Sequence, residues 1–314
     1  MLILIGGEKI MDTLTVGLEW FLNPDHMPLI IGIEKGWFAD AQLDVHMIEP
    51  EAHFDALSEI ENNKMDIAIT EPIHLVEDRA NAKDVVGFAR FLHTNGGVMF
   101  NKDKAITRPR DLIGKRLTYP GAPGSGGIAI VKTMIEADGA TYQEGDLIPV
   151  NNSFYHTDAL EKDKADAATL IFENFEIIEA KLRGLNVDFF ALKDYNVPDF
   201  CQLILITSPQ HLKIQHDKLS RFITVIKKAI DYIHQHLDEA IAIYCAYTQT
   251  DVYDALNQQT IQATAHCFTN DLSMNSDYYN DLQLWLHEND KIVQPIDSQL
   301  YFTNELLFPR YHRH

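Results

Sequence analysis

Residues 14–50 read LTVGLEWFLNPDHMPLIIGIEKGWFADAQLDVHMIEP. Residues 14–18 form a short apolar run of strand character, and an aromatic and polar stretch, EWFLNPDHMP, follows it. Residues 28–35 read as a helix closed by Gly36, a residue type that tolerates the left-handed geometry of a helix end. Residues 43–48 then alternate in polarity as a half-buried strand does. Strand, helix and strand in so short a span call for a parallel sheet covered by helices.

The pattern continues outward from this unit. Residues 54–63 are helical, 65–70 a strand, 75–82 helical and 85–92 a strand. It then restarts. A turn at Asp111-Leu-Ile-Gly leads into a strand at 116–119, a helix at 128–137 and a strand at 146–150. Helix 157–162, strand 167–172, helix 175–183 and strand 189–192 follow. Residues 201–207, CQLILIT, are continuously apolar, as in a strand buried on both faces. Beyond them only helical segments appear, at 219–236, 237–248, 253–265 and 278–289. A late block of helices has no sheet of its own to cover, so it must return to an earlier one. The chain is expected to be an α/β protein of two lobes, 12–98 and 99–203, with 204–308 returning to the first. Residues 1–11 and 309–314 are expected as flexible ends, and Met11 is an alternative start.

Composition narrows the function. With 26 basic and 46 acidic residues the net charge is −20, a field that repels a polyanion, so no nucleic-acid partner is expected. The three cysteines, Cys201, Cys245 and Cys267, have neither zinc spacing nor a disulfide framework and read as reduced thiols. No run approaches the ~20 apolar residues of a membrane span. The start lacks a basic segment, a long apolar segment and a cleavage site. The expectation is a cytoplasmic protein, or a periplasmic or cell-surface one whose signal has been removed.

Polar and aromatic residues gather after the strands. In an open parallel sheet, ligands bind beyond the carboxyl ends of the strands. Glu19-Trp20-Phe21-Leu22-Asn23 follows the first strand, where Trp20 can stack on a flat heterocycle and Asn23 can pair with its edge, or Trp20 can be an ordinary core ring. Glu71 and His74 follow the third strand, as a binding pair or as part of a helix cap. Glu173 and Asn174 follow the strand at 167–172. The loop GAPGSGG, at 121–127, precedes a helix, and its Gly124, Ser125 and Gly126 can offer backbone N–H groups and a hydroxyl to an anion. It is not a nucleotide loop, because Gly127 is followed by Ile128 and not by Lys. A flexible turn is the alternative. No metal-ligand or hydrolase signature is present.

These residues also carry a resemblance. Leu18-Glu19-Trp20, Asn23 and His26, then Lys35-Gly36-Trp37-Phe38 and Leu43-Asp44-Val45, resemble the opening of the family that joins bacterial pyrimidine-binding proteins to fungal thiamine-pyrimidine synthases. Further similar pieces are Lys64-Met-Asp-Ile-Ala, Asp111-Leu-Ile-Gly-Lys115, Asn196-Val-Pro-Asp-Phe and Tyr301-Phe-Thr-Asn-Glu305. The resemblance implies the type 2 periplasmic-binding-protein fold: two α/β lobes, two crossover strands and a ligand cleft between them. It implies a thiamine-related pyrimidine as ligand, with or without phosphate, and an ABC-type permease as partner. Trp20 would stack, Asn23, Glu71, Asn174 and Gln202 would read the ligand's edge, and Gly124–Gly126 would hold its anionic end. The synthase branch implies pyridoxal phosphate and iron as cofactors. There a lysine anchors pyridoxal phosphate, and a histidine four residues on is consumed. His74 matches that histidine, but Thr70 stands at the lysine position and Cys201 alone represents a cysteine cluster. The expectation is therefore a binding protein without cofactors, with the synthase and a binder of another flat heterocycle or a sulfonate as alternatives.

Overall fold

The computed structural model describes residues 11–50, 56–119, 126–153 and 155–308. The opening unit forms as its sequence requires: β1 (Asp12–Gly17), α1 (Met27–Glu34), α2 (Trp37–Asp40) and β2 (Leu43–Ile48). Gly36, at φ +70°, separates the two helices in the left-handed conformation that lets the chain reverse. After α3 (Ala56–Glu61) come β3 (Ile67–Thr70), α4 (Pro72–Ala80) and β4 (Val86–His93). The chain then crosses into a second lobe with β5 (Gly96–Asn101), β6 (Arg116–Thr118), α5 (Gly126–Ala137), β7 (Ile148–Val150), α6 (His156–Glu161), β8 (Ala167–Phe172), α7 (Ile178–Leu182) and β9 (Val187–Ala191). It returns through β10 (Gln202–Thr207) to α8 (Pro209–Ile214), α9 (His216–Gln235), α10 (Leu237–Thr248), α11 (Ala255–Ala265) and α12 (Ser276–Glu288).

Two five-stranded sheets result, ordered β2-β1-β3-β10-β4 and β7-β6-β8-β5-β9. In each, four strands run in one direction, and the strand that enters from the other lobe lies antiparallel to them in fourth place. Strand β5 went unrecognised in the sequence because the two glycines that open it, directly after Asn95, resemble a turn. Those glycines are demanded by contact. A Cβ on Gly96 would fall 2.0 Å from Cys201 Sγ, and one on Gly97 1.9 Å from the Phe190 carbonyl oxygen.

The lobes share a local device one hundred residues apart. In KMDIA, the Asp66 carboxylate accepts from Thr15 N at 2.8 Å while its own N–H donates to the Thr15 carbonyl. In KADAA, Asp166 makes the same exchange with Arg116, at 2.8 Å each way. Each aspartate ties the entry of a central strand to its parallel neighbour, so the two βαβ units dock in the same way.

Helices α9, α10 and α12 cover the first lobe, and α11 packs on α7 of the second. Helix α9 turns Leu219, Phe222, Ile223, Ile226, Ile230 and Ile233 inward at three- and four-residue spacing and lies on α1. Burying each such side chain is worth about 1.5–3 kcal/mol relative to exposure. Helix α12 reaches the second lobe, where Trp285 Nε1 donates to Thr133 Oγ1 at 3.1 Å.

Candidate functional site

The segment after β1 meets those after β7 and β8 across the two lobes. After β1 the chain makes a tight turn at Pro24–His26. Asn23 builds it: its Oδ1 accepts from Asp25 N at 2.8 Å and its Nδ2 donates to the Phe21 carbonyl at 2.9 Å. The Asn23 N–H in turn meets His26 Nδ1, so that nitrogen is an acceptor and Nε2 carries the proton toward Glu19, 3.1 Å away. Asn23, expected at the ligand's edge, thus has both ends of its amide engaged in its own loop.

The rigid turn projects Trp20, Phe21 and Asp25 at the second lobe. Trp20 lies 4.3 Å from Phe21 and meets Phe175 edge-on at 5.3 Å, and Phe21 lies parallel to Tyr155 at 6.4 Å. Two rings from each lobe therefore meet in one cluster. Beside it, Asn174 Nδ2 donates across the lobes to Asp25 Oδ1 and to Thr264 Oγ1, at 2.8 Å each.

A π-helical turn after β8, Glu173–Ile177, sets which side chains face inward. Asn174, Phe175 and Glu176 are buried, whereas Glu173 is exposed and accepts from Asn95 Nδ2 at 2.9 Å. Glu176 accepts from Phe172 N at 2.6 Å and from His156 Nδ1 at 2.5 Å. Buried polar atoms in proteins are nearly always paired. Here Trp20 Nε1, Asp25 Oδ2, Asn174 Oδ1 and His156 Nε2 are buried without a partner among the described residues, as are the hydroxyls of Thr118 and Thr169. Burial, reinforced by the Glu19 carboxylate, pushes the Asp25 carboxyl up to about 7.

Glu71 and His74 form a second group. Glu71 precedes α4 in extended geometry, but its carboxylate makes no capping bond. It pairs instead with His74 Nε2 at 3.1 Å. Burial opposes a charge on His74, but the Glu71 bond prevails and raises the ring to about 9. Ile204 pairs with Thr70, so Leu203 and Gln202 run alongside Glu71 and Pro72. Gln202 lines a cavity of about 400 Å³ with Arg90, His93, Asp199, Asp271 and Tyr278. A separate cavity of about 560 Å³ is lined by Glu173, Asn174, Thr94, Asn95, Lys181 and Cys267.

The expected residues are thus divided. Trp20 and Asn174 join at the lobe contact, Glu173 sits at its outer rim, and Gln202 opens into the other cavity beside the Glu71–His74 pair. Asp25, His156, Glu176, Phe175 and Tyr155 escaped the sequence reading. The available signal was a charged or ring residue directly after each parallel strand. Residues 121–125, including Gly124 and Ser125, lie outside the described residues. Gly126 opens α5, and a Cβ there would meet nothing within 4 Å. Gly127 is the constrained one, with a Cβ falling 2.6 Å from the Tyr119 ring and 2.8 Å from Thr169 Cγ2. Among the described residues no group of three His, Cys, Asp or Glu side chains is placed to hold a metal ion, and no helix is long and apolar enough to cross a membrane.

Known proteins share this architecture. The alkanesulfonate-binding protein SsuA from Xanthomonas axonopodis pv. citri, solved bound to MOPS, superposes with a TM-score of 0.72 over 93% of this chain and 98% of its own, at 11% identity. The likeness is one of fold: two α/β lobes in the manner of periplasmic binding proteins. In sequence, the formylaminopyrimidine-binding protein of Halalkalibacterium halodurans is 24% identical over 95% of this chain and 91% of its own. A 4-amino-5-hydroxymethyl-2-methylpyrimidine phosphate synthase of Saccharomyces cerevisiae is 27% identical over 71% of this chain and 67% of its own. The model of one family, described as NMT1/THI5 like, matches residues 23–240. The chain belongs to the NMT1/THI5-like family.

Proposed function

We propose that the protein binds a thiamine-related aminopyrimidine, with or without a phosphate, and closes its two lobes around it without transforming it. One observation carries the reading: unpartnered buried polar atoms from both lobes, Trp20 Nε1, Asp25 Oδ2 and Asn174 Oδ1, gather beside an inter-lobe aromatic cluster. A flat ring with a polar edge supplies both a stacking face and the missing partners. The names of the relatives point to the same ligand class. In this reading Trp20 stacks, Asn174 reads the ring's edge, and Gly124, Ser125 and Gly126 hold a phosphate, while Gln202 lines the other cavity and Glu71 serves His74. Glu173 guards the rim and Asn23 shapes the Trp20 loop. An ABC-type permease is the partner if the protein works outside the cytoplasm, and a carrier role follows inside it.

Calorimetric titration with 4-amino-5-hydroxymethyl-2-methylpyrimidine, its phosphate and a short alkanesulfonate tests the reading. Binding of either pyrimidine supports it. Binding of the sulfonate alone overturns it.

The synthase is the second reading, and the His74–Glu71 pair favours it, since His74 stands where that branch has its reactive histidine. The other residues do not fit pyridoxal phosphate and iron. Thr70, buried at the end of β3, has no amine for a Schiff base, and the Cys201 thiol is buried and pushed well up by that burial. Incubation with pyridoxal phosphate, borohydride reduction and mass spectrometry should give no adduct on a cleft lysine. A trapped adduct would reverse the ranking.

A further inference from the structure

We propose that Asp25 is a positioning residue that locks the side-chain amide of Asn174, so that the cleft accepts ligands presenting an N–H edge and rejects those presenting a carbonyl. Where the ligand lies rests on the reading above. The locking itself rests only on the network.

A side-chain amide has a donating and an accepting end, and its neighbours decide which faces the ligand. Asn174 Nδ2 spends its two hydrogens on Asp25 Oδ1 and Thr264 Oγ1, at 2.8 Å each. Its Oδ1 is left buried with no donor among the described residues. Thr264 does not enforce this orientation, because a hydroxyl both donates and accepts. An ionised Asp25 does, because a carboxylate only accepts, and flipping the amide would press oxygen against oxygen. The second unpartnered atom of the pair, Asp25 Oδ2, is an acceptor as well. Two orphan acceptors suit the two hydrogens of a heterocyclic amino group. A keto group in that place would leave both acceptors unmet, a loss of roughly tenfold or more in affinity.

The lock depends on the charge of Asp25. Glu19 and His26 face it from its own loop, Glu176 from the second lobe, and Tyr244 of α10 and the Cys267 thiol beyond α11 share its field. In this setting burial, with Glu19, holds the carboxyl up at about 7. Above that pH the carboxylate enforces the orientation. Below it the protonated group can donate, and the amide is free to turn. Selectivity for an amino over a keto ligand therefore falls as pH falls through about 7.

The experiment has an arm that needs no ligand. The side-chain amide resonance of Asn174 in the whole free protein is followed by ¹H–¹⁵N NMR from about pH 5 to about pH 9. It should titrate near 7 in the wild type and stay flat in Asp25→Asn. In a second arm, affinities for a 4-aminopyrimidine and its 4-oxo counterpart are compared above pH 7. The wild type and Thr264→Ala should prefer the amino compound roughly tenfold or more, and Asp25→Asn should bind the two about equally. A wild-type amide that does not titrate overturns the proposal, as does a selectivity that survives Asp25→Asn. If the amide titrates and neither pyrimidine binds, the positioning role is supported and the pyrimidine reading falls. If Asp25→Asn fails to fold, the wild-type preference for the amino over the oxo compound is followed with pH instead; it should fall as the pH drops through about 7, and a preference unchanged from about pH 5 to about pH 9 overturns the lock.

Discussion

Replacing Trp20 by Phe separates the ring's two contributions. Phenylalanine can keep the contacts with Phe21 and Phe175, centred 4.3 and 5.3 Å from the indole, and it removes the buried Nε1–H that has no acceptor. An unmet buried donor costs about 1–3 kcal/mol. The smaller ring forfeits part of the packing, about 1–2 kcal/mol. These effects oppose each other, so the free protein should unfold within about 1 kcal/mol of the wild type. In the complex the N–H gains an acceptor, and losing that bond should weaken the pyrimidine by about 1 kcal/mol, or roughly fivefold. Trp20→Ala also removes the stacking face and should weaken binding by about 1–3 kcal/mol. Denaturant unfolding of the free variants and calorimetric titration with the aminopyrimidine measure the two sides separately. If Trp20→Phe binds as tightly as the wild type, the N–H plays no part in recognition. If Trp20→Ala binds normally and only unfolds more readily, the indole is packing and the stacking role is refuted.

Gly127→Val should destabilise the second lobe by about 1–3 kcal/mol or more, because its Cβ falls 2.6 Å from the Tyr119 ring; Gly126→Ala, facing open space, should be neutral or slightly stabilising in the same unfolding assay. Equal effects would show that the beginning of α5 is not packed as described. Glu176→Ala strands the Phe172 N–H and His156 Nδ1 in the interior and should cost about 3–5 kcal/mol; a loss below about 1 kcal/mol would mean that water reaches both. His74 has its folded pKa raised to about 9, so the stability from its pairing with Glu71 is complete below the ordinary value of about 6.5 and is lost as pH rises through about 9. Ring-proton NMR of Glu71→Gln should bring the His74 midpoint back toward 6.5, and an unmoved midpoint would rule out Glu71 as its cause.

The two-lobe α/β architecture was legible because its determinants are local. Residues 14–50 carry a strand, a glycine-closed helix and a strand within one βαβ unit, and CQLILIT followed by helices alone demands a return to an earlier sheet. The amphipathic spacing of α9 names its buried face from the sequence alone. Strand β5 was hidden because Gly96 and Gly97 are selected by contacts with Cys201 and Phe190, residues about a hundred positions away. The site divides along the same line. Trp20 and Asn174 stand directly after strands, where position alone marks them. Asp25 and Asn174 are 149 residues apart in sequence, and nothing local announces that they will share a hydrogen bond. Asn23 looked like a ligand contact until the turn at Pro24–His26 engaged both ends of its amide. Sequence periodicity encodes which face of an element is buried, since that depends on neighbours three or four residues away. Which polar atoms find partners, and which are left for a ligand, depends on how two separately folded lobes meet, and only the tertiary structure decided that.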